Sequence, residues 1–184
     1  VKKYPTMHQE QIKTELKERH QAFINYINEL NEDTFNYKFQ EKWTAGQQLA
    51  HIVMCVKPLV YVFGLDKVLI EQKFGKLDRP SQTYDELLIS YLEKFKEGGK
   101  APDNFVPEEI TFQQRESLCI SLDQLIQDLC LKLSMYTESE LDTYCIPHPL
   151  LGKLSLREML YNAIYHVEHH HKAAIRNLQY QSIA

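Results

Sequence analysis

The sequence predicts an all-α protein: a four-helix bundle of up-down-down-up order, with one long crossover, forming a single domain over residues 1–184. Three observations point there. Glycine and proline are scarce, 6 and 7 in 184 residues, whereas a β-rich chain needs turn residues at short intervals. Four segments carry apolar residues near a 3.6-residue period. The connections between them run short, long, short, and a long crossover between the second and third helices makes those two parallel.

The first helix is expected from about Thr6 to Leu30, with Ile12, Leu16, Phe23, Ile27 and Leu30 as its stripe. Asn, Asp and Thr in the Asn31–Phe39 stretch break it. The second begins at Thr44, where Gln47 three residues on completes a capping box, and runs through Leu49, Ile52 and Val56 to about Phe63 or beyond. Pro58 inside it should bend it or remove one backbone hydrogen bond. From about Gln72 to Phe112 the pattern is mixed. Tyr84–Lys96 suits a short helix, and Gly98, Gly99, Pro102 and Pro107 mark open loop, so this is the crossover. The third helix is expected over about Gln114–Tyr136 and the last over Ser155 to about Tyr180, with Glu158 in capping-box position. Thr137–Leu154 between them reads as a loop.

Composition narrows the function. A formal net charge of −4 without a basic block argues against nucleic acid as a partner. The longest apolar stretch, Ile52 to Ile70, contains Lys57, Pro58, Asp66 and Lys67, so no membrane span is expected. No secretory signal is visible, which makes cytoplasmic residence the expectation. The sequence opens at Val1 rather than Met, compatible with an upstream piece having been removed. Cys55, Cys119, Cys130 and Cys145 lack CxxC spacing; they are read as free thiols, the first three as small buried hydrophobes.

Five of the 8 histidines fall in two helices: His51 in the second, and His166, His169, His170 and His171 in the last. His166 and His170, four apart, share a helix face, the spacing by which one helix offers two imidazoles to one metal. Their stripe runs through Leu156, Leu160, Ala163, Ala174 and Leu178, and the small alanines leave room. His169 points elsewhere with Tyr165, Lys172 and Arg176, on what reads as a solvent face, and His171 lies on the flank. His51 is inward on the line Gln47, His51, Met54, Pro58, Tyr61. It lies seven residues into its helix and His170 about nine before the end of the last, so in this topology the three rings meet at one height. A lone histidine on an apolar face is more often a hydrogen-bonded core residue. Three at one level make a divalent-metal site, and three neutral imidazoles leave a position open for water or substrate. Zn²⁺ and Ni²⁺ both suit imidazole. A zincin is not indicated, because Val167 stands where H-E-x-x-H needs glutamate and Glu168 faces away.

The chain resembles the DinB/YfiT-like superfamily. The likeness rests on Trp43 through Ile52 opening the second helix, and on His148 through Ser155 leading by Glu158 to His166 and His170. It implies a metal triad of His51, His166 and His170, and a metal-dependent enzyme of thiol S-transferase or hydrolase type acting on a small molecule, in some relatives with a low-molecular-weight thiol. The alternative is a non-catalytic metal-binding or stress-response bundle. The resemblance also implies a homodimer. Phe35, Tyr37, Phe39 and Trp43 are candidates to line an apolar pocket above the metal, or else to pack on the bundle end and close the core. His148 is expected to be structural, because counting a helical rise from it to His166 leaves a gap of about 15–20 Å.

Overall fold

A computed structural model of the chain describes residues 6–100 and 102–180 and is mostly helical. In order the elements are α1 (Gln9–Glu29), α2 (Glu32–Asn36), α3 (Ala45–Phe63), α4 (Lys67–Phe74), α5 (Tyr84–Lys96), α6 (Arg115–Leu133), α7 (Glu138–Thr143), strands β1 (Cys145–His148) and β2 (Gly152–Ser155), and α8 (Leu156–Gln179). Short 3₁₀ turns cover Asp103–Phe105 and Phe112–Gln114.

The four long helices α1, α3, α6 and α8 are the four segments expected from periodicity. Reciprocal capping boxes start α3 (Thr44 with Gln47) and α8 (Ser155 with Glu158), each satisfying two backbone N–H groups that a helix start leaves bare. α3 runs unbroken through Pro58. Helices α1 and α3 each pack on both α6 and α8. Their stripes meet in one core of Ile12, Leu16, Phe23, Leu49, Ile52, Leu122, Leu129, Leu160, Ile164 and Val167, all buried. Each large aliphatic side chain so buried contributes about 1.5–3 kcal/mol.

Hydrogen bonds between helix ends fix which ends meet. Arg115 donates to the carbonyls of Asn28 (3.3 Å) and Leu30 (2.7 Å), so α6 starts beside the end of α1. The Asn177 amide donates to the Trp43 carbonyl at 3.0 Å, setting the end of α8 beside the start of α3. Arg157 reaches the Met7 carbonyl at 2.7 Å, joining the starts of α8 and α1.

The connections hold more structure than expected. The break after α1 contains α2, capped by Asn31, and its Phe35 lies against Gly46 of α3. A Cβ on Gly46 would stand 2.7 Å from the Phe35 ring, which is why a glycine serves there. Residues 137–154, expected as loop, form α7 on a Thr137–Glu140 capping box and an antiparallel hairpin pairing Cys145 with Ser155 through His148 with Gly152. The connection from α3 to α6 carries α4, which was not expected, and α5 over the Tyr84–Lys96 stretch where a short helix was. Helix α5 lies along α8 with Tyr84 against Tyr161 and Tyr91 against Tyr165. These pieces depend on contacts distant in sequence, such as the Leu77 N–H bonded to the Thr143 carbonyl at 2.9 Å. No helix among the described residues is long and apolar enough to cross a membrane.

Candidate metal centre

Because Thr44 fixes where α3 starts, His51 lies two turns inside it, facing the upper half of α8. His51 is 3% exposed and His170 8%. The structure brings the three expected rings together: His51 Nε2 is 3.3 Å from His166 Nε2, and His170 Nε2 is 3.0 Å from the same atom. Tyr61, placed on the same inward line as His51, is instead exposed.

The opposite ring nitrogens settle the protons. His51 Nδ1 lies 2.7 Å from the Phe105 carbonyl, which can only accept, so Nδ1 carries the hydrogen. The Gln48 side-chain carbonyl holds His170 Nδ1 in the same way. Both Nε2 atoms then present lone pairs to His166, whose own Nε2 can donate to one of them at most. A cation would satisfy all three at once. Two nitrogens bound tetrahedrally to one Zn²⁺ stand about 3.3 Å apart, given Zn–N bonds of about 2.0–2.1 Å, so the observed separations fit such an ion. Burial, then the neighbouring imidazoles, hold His166 and His170 well below the ordinary histidine pKa. His51 is lowered by burial, partly offset by the Phe105 carbonyl. The rings therefore stay neutral, the form that binds metal.

Sequence reading missed Cys55. It stands four residues after His51, one turn along the same face, and its Sγ is 3.6 Å from His51 Nε2. Donor atoms of His51, Cys55 and His166 all lie within 4.8 Å of one another. A zinc-bound thiolate and imidazole are about 3.5 Å apart, so His51, Cys55 and His166 form a donor set, and His170 Nε2 adjoins it 3.0 Å from His166 Nε2. Burial pushes the Cys55 thiol up to about 12. The signal for it, His and Cys at i and i+4, was present in the sequence.

Other candidates fall elsewhere. Of the four aromatic residues expected over the metal, among the described residues only Trp43 touches the histidines, 4.9 Å from His51 and 6.0 Å from His170 between ring centroids. Phe35 packs edge-on to Phe112, and Phe39 stacks on Tyr180, so both help close the bundle end. A cavity of about 30 Å³ adjoins the site from the other side, bordered by His20, Cys55, Asn162 and His166 and walled by Ile52 and Leu59. His169 is not on a solvent face: α5 covers it with Phe95 (5.4 Å) and Tyr91 (6.3 Å). His171 packs on Phe23 and Tyr26 of α1. His148 Nδ1 accepts the Leu150 and Leu151 N–H groups at 3.1 and 3.2 Å and so organises the hairpin turn. The straight count of helical rise does not describe that hairpin, which folds back until Leu150 lies against Gly99 at the end of α5.

No curated protein matches this sequence. The family model of the DinB superfamily matches residues 15–174, a span that runs from α1 through the His166–His170 pair. With His51, His166 and His170 all inside the matched region, the chain belongs to the DinB superfamily.

Proposed function

We propose that the chain is a divalent-metal-dependent enzyme of thiol S-transferase or hydrolase type acting on a small molecule, with Zn²⁺ or Ni²⁺ held by His51, His166 and His170. The observation that carries this reading is the convergence of three Nε2 atoms, two of them on buried rings with lone pairs forced inward by carbonyl partners on Nδ1. The reading takes the long helices in the order up, down, down, up, which the hydrogen bonds between their ends support. A divalent cation held there supplies Lewis acidity that lowers the pKa of water or a thiol toward neutrality. The chain's own part is positioning. Phe105 and Gln48 lock two rings, Trp43 covers them, and the 103–107 strap screens His51 from bulk water. Pairing of two copies belongs to the same reading and is tested by sedimentation over a range of concentrations.

A second reading has its own support. If Cys55 Sγ binds, three imidazoles and a thiolate close a tetrahedron, the pattern of a structural site, and the chain is a non-catalytic metal-binding bundle. Metal analysis of protein purified without a histidine tag, then loaded with Zn²⁺ or Ni²⁺, tests both readings together; one equivalent bound is expected, and none above background rejects the site. Screening the loaded protein with low-molecular-weight thiols and electrophiles separates them.

A further inference from the structure

Two buried polar side-chain atoms among the described residues have no hydrogen-bond partner, His20 Nε2 and Asn162 Oδ1. Both residues border the cavity beside the metal centre. His20 is 1% exposed, and its Nδ1 donates to the Leu16 carbonyl at 2.7 Å, so its Nε2 is a fixed acceptor. Asn162 Oδ1 is a second acceptor. Two buried acceptors left bare destabilise the fold unless something donates to them.

His166, one turn beyond Asn162, borders the same space. It is also the one ring of the three whose Nδ1 has no hydrogen bond among the described residues, whereas those of His51 and His170 are held by Phe105 and Gln48. With Nε2 turned to the other rings, His166 Nδ1 must carry the hydrogen when the ring binds metal.

We propose that the cavity is a water-binding subsite of the metal centre: one water donates to His20 Nε2 and Asn162 Oδ1 and accepts from His166 Nδ1, completing the outer support of the third ring. The count closes on one molecule, since a water has two hydrogens to give and the site has two acceptors and one donor. The volume allows it, because about 30 Å³ exceeds the roughly 10–15 Å³ that a water needs by the same measure and is far too small for a substrate. His20 and Asn162 are thus positioning residues: they act on the metal through the water and His166. Partners of this kind orient a ligating imidazole and raise its basicity, and their loss weakens metal binding about 10–100-fold.

The inference rests on the metal reading, and two measurements keep the two apart. A high-resolution crystal structure of the native chain should place a water within hydrogen-bond distance of His20 Nε2 and Asn162 Oδ1; a dry cavity overturns the proposal whether or not metal binds. Zn²⁺ affinity, measured by competition with a chromophoric chelator, should fall at least about tenfold in His20→Leu and in Asn162→Leu. His20→Gln, whose amide oxygen stands near the place of Nε2, should stay within about threefold of native. The double variant His20→Leu/Asn162→Leu should be no weaker than either single one, since both act through one water. Native protein that binds Zn²⁺ while folded His20→Leu and Asn162→Leu bind it equally well rejects the subsite and spares the metal site. Native protein that binds none rejects the metal site.

Discussion

At the foot of α8, Arg157 is 2% exposed and Glu158 0%, yet each has its partners within the protein. Arg157 bonds Asp142 (2.6 Å), Glu138 (2.7 Å) and the Met7 carbonyl (2.7 Å); Glu158 takes two bonds from Arg79 (2.6 and 3.0 Å) and the N–H groups of Gln82 and Ser155, both at 2.7 Å. About 12–20 Å higher on the same helix, His166 and His170 face His51 with three Nε2 atoms that share one ring hydrogen at most, and among the described residues the Cys55 thiol is the one further donor beside them. Next to them His20 Nε2 and Asn162 Oδ1 are bare. One helix therefore carries a closed polar network and an open one. The closed network ties α7, the hairpin, the crossover and the start of α1 to α8 and asks for nothing further. The open one is complete only with something that is not protein, and that is what makes it a candidate for chemistry.

If this contrast holds, the two regions fail differently. The largest effect is expected at the foot. Arg157→Ala removes the buried guanidinium that Asp142, Glu138 and the Met7 carbonyl share. The two carboxylates are 40% and 44% exposed and can turn to water, so the loss is that of hydrogen bonds to a charged group, about 1.5–3 kcal/mol. Urea unfolding of the metal-free protein should show a loss of that order, while Zn²⁺ affinity of the folded fraction stays within about threefold. A parallel fall in affinity would mean that the two regions are one coupled unit.

In the open region the order of effects reverses. His51→Ala, His166→Ala and His170→Ala should each weaken Zn²⁺ binding by about 100-fold or more, whereas His169→Ala and His171→Ala, whose rings pack on α5 and α1, should not. Metal-free stability of the three ligand variants should change little. Excess Zn²⁺ should stabilise native protein by about 2.7 kcal/mol at 100 times Kd and leave the variants nearly unmoved. Thermal melts with and without metal read this directly, and a variant that still gains the native shift is not a ligand.

Proton uptake sharpens the contrast further. Burial holds His20 at about 4 in the folded chain, against about 6.5 when unfolded. Between those values the unfolded state binds more protons, so this contribution is full above pH 6.5 and is lost as pH falls toward 4. At pH 5 the loss from His20 alone is about 2 kcal/mol. His148, also held at about 4 by burial, acts in the same direction. Metal-free protein should weaken steadily in urea from pH 7.5 to 5, and His20→Gln should flatten part of that slope. A flat native profile would show that these rings are not buried neutral.

The difference between the regions also explains what could be read in advance. His51, His166 and His170 were legible because helix periodicity fixes both face and height, and the two capping boxes fix where the count begins. Cys55 and His20 carried the same kind of signal, i+4 from His51 and i+4 from Leu16 on the α1 stripe, but a small thiol or a single ring on an apolar stripe looks like core until a neighbouring helix shows what it faces. Of the closed network only the Ser155–Glu158 capping box was legible. Arg79 meets Glu158 across 79 positions and Arg157 meets Met7 across 150, and no local period encodes such pairs. Covering of His169 by α5 was missed for the same reason.

The smallest expected effect decides how open the open region is. Cys55 Sγ lies 3.6 Å from His51 Nε2, a distance that also suits a zinc-bound thiolate beside an imidazole. Burial favours the neutral thiol strongly, and binding would have to offset the release of its proton. Under the enzymatic reading Cys55 stays a thiol at the edge of the cavity, so Cys55→Ser should change Zn²⁺ affinity by less than about threefold. The Co²⁺-substituted native protein should then lack the intense near-ultraviolet band of a thiolate ligand. A strong band in native protein that disappears in Cys55→Ser, with affinity down tenfold or more, would place sulfur on the metal. The set would then be closed in the same sense as the network at the foot of α8, and the non-catalytic reading would replace the enzymatic one.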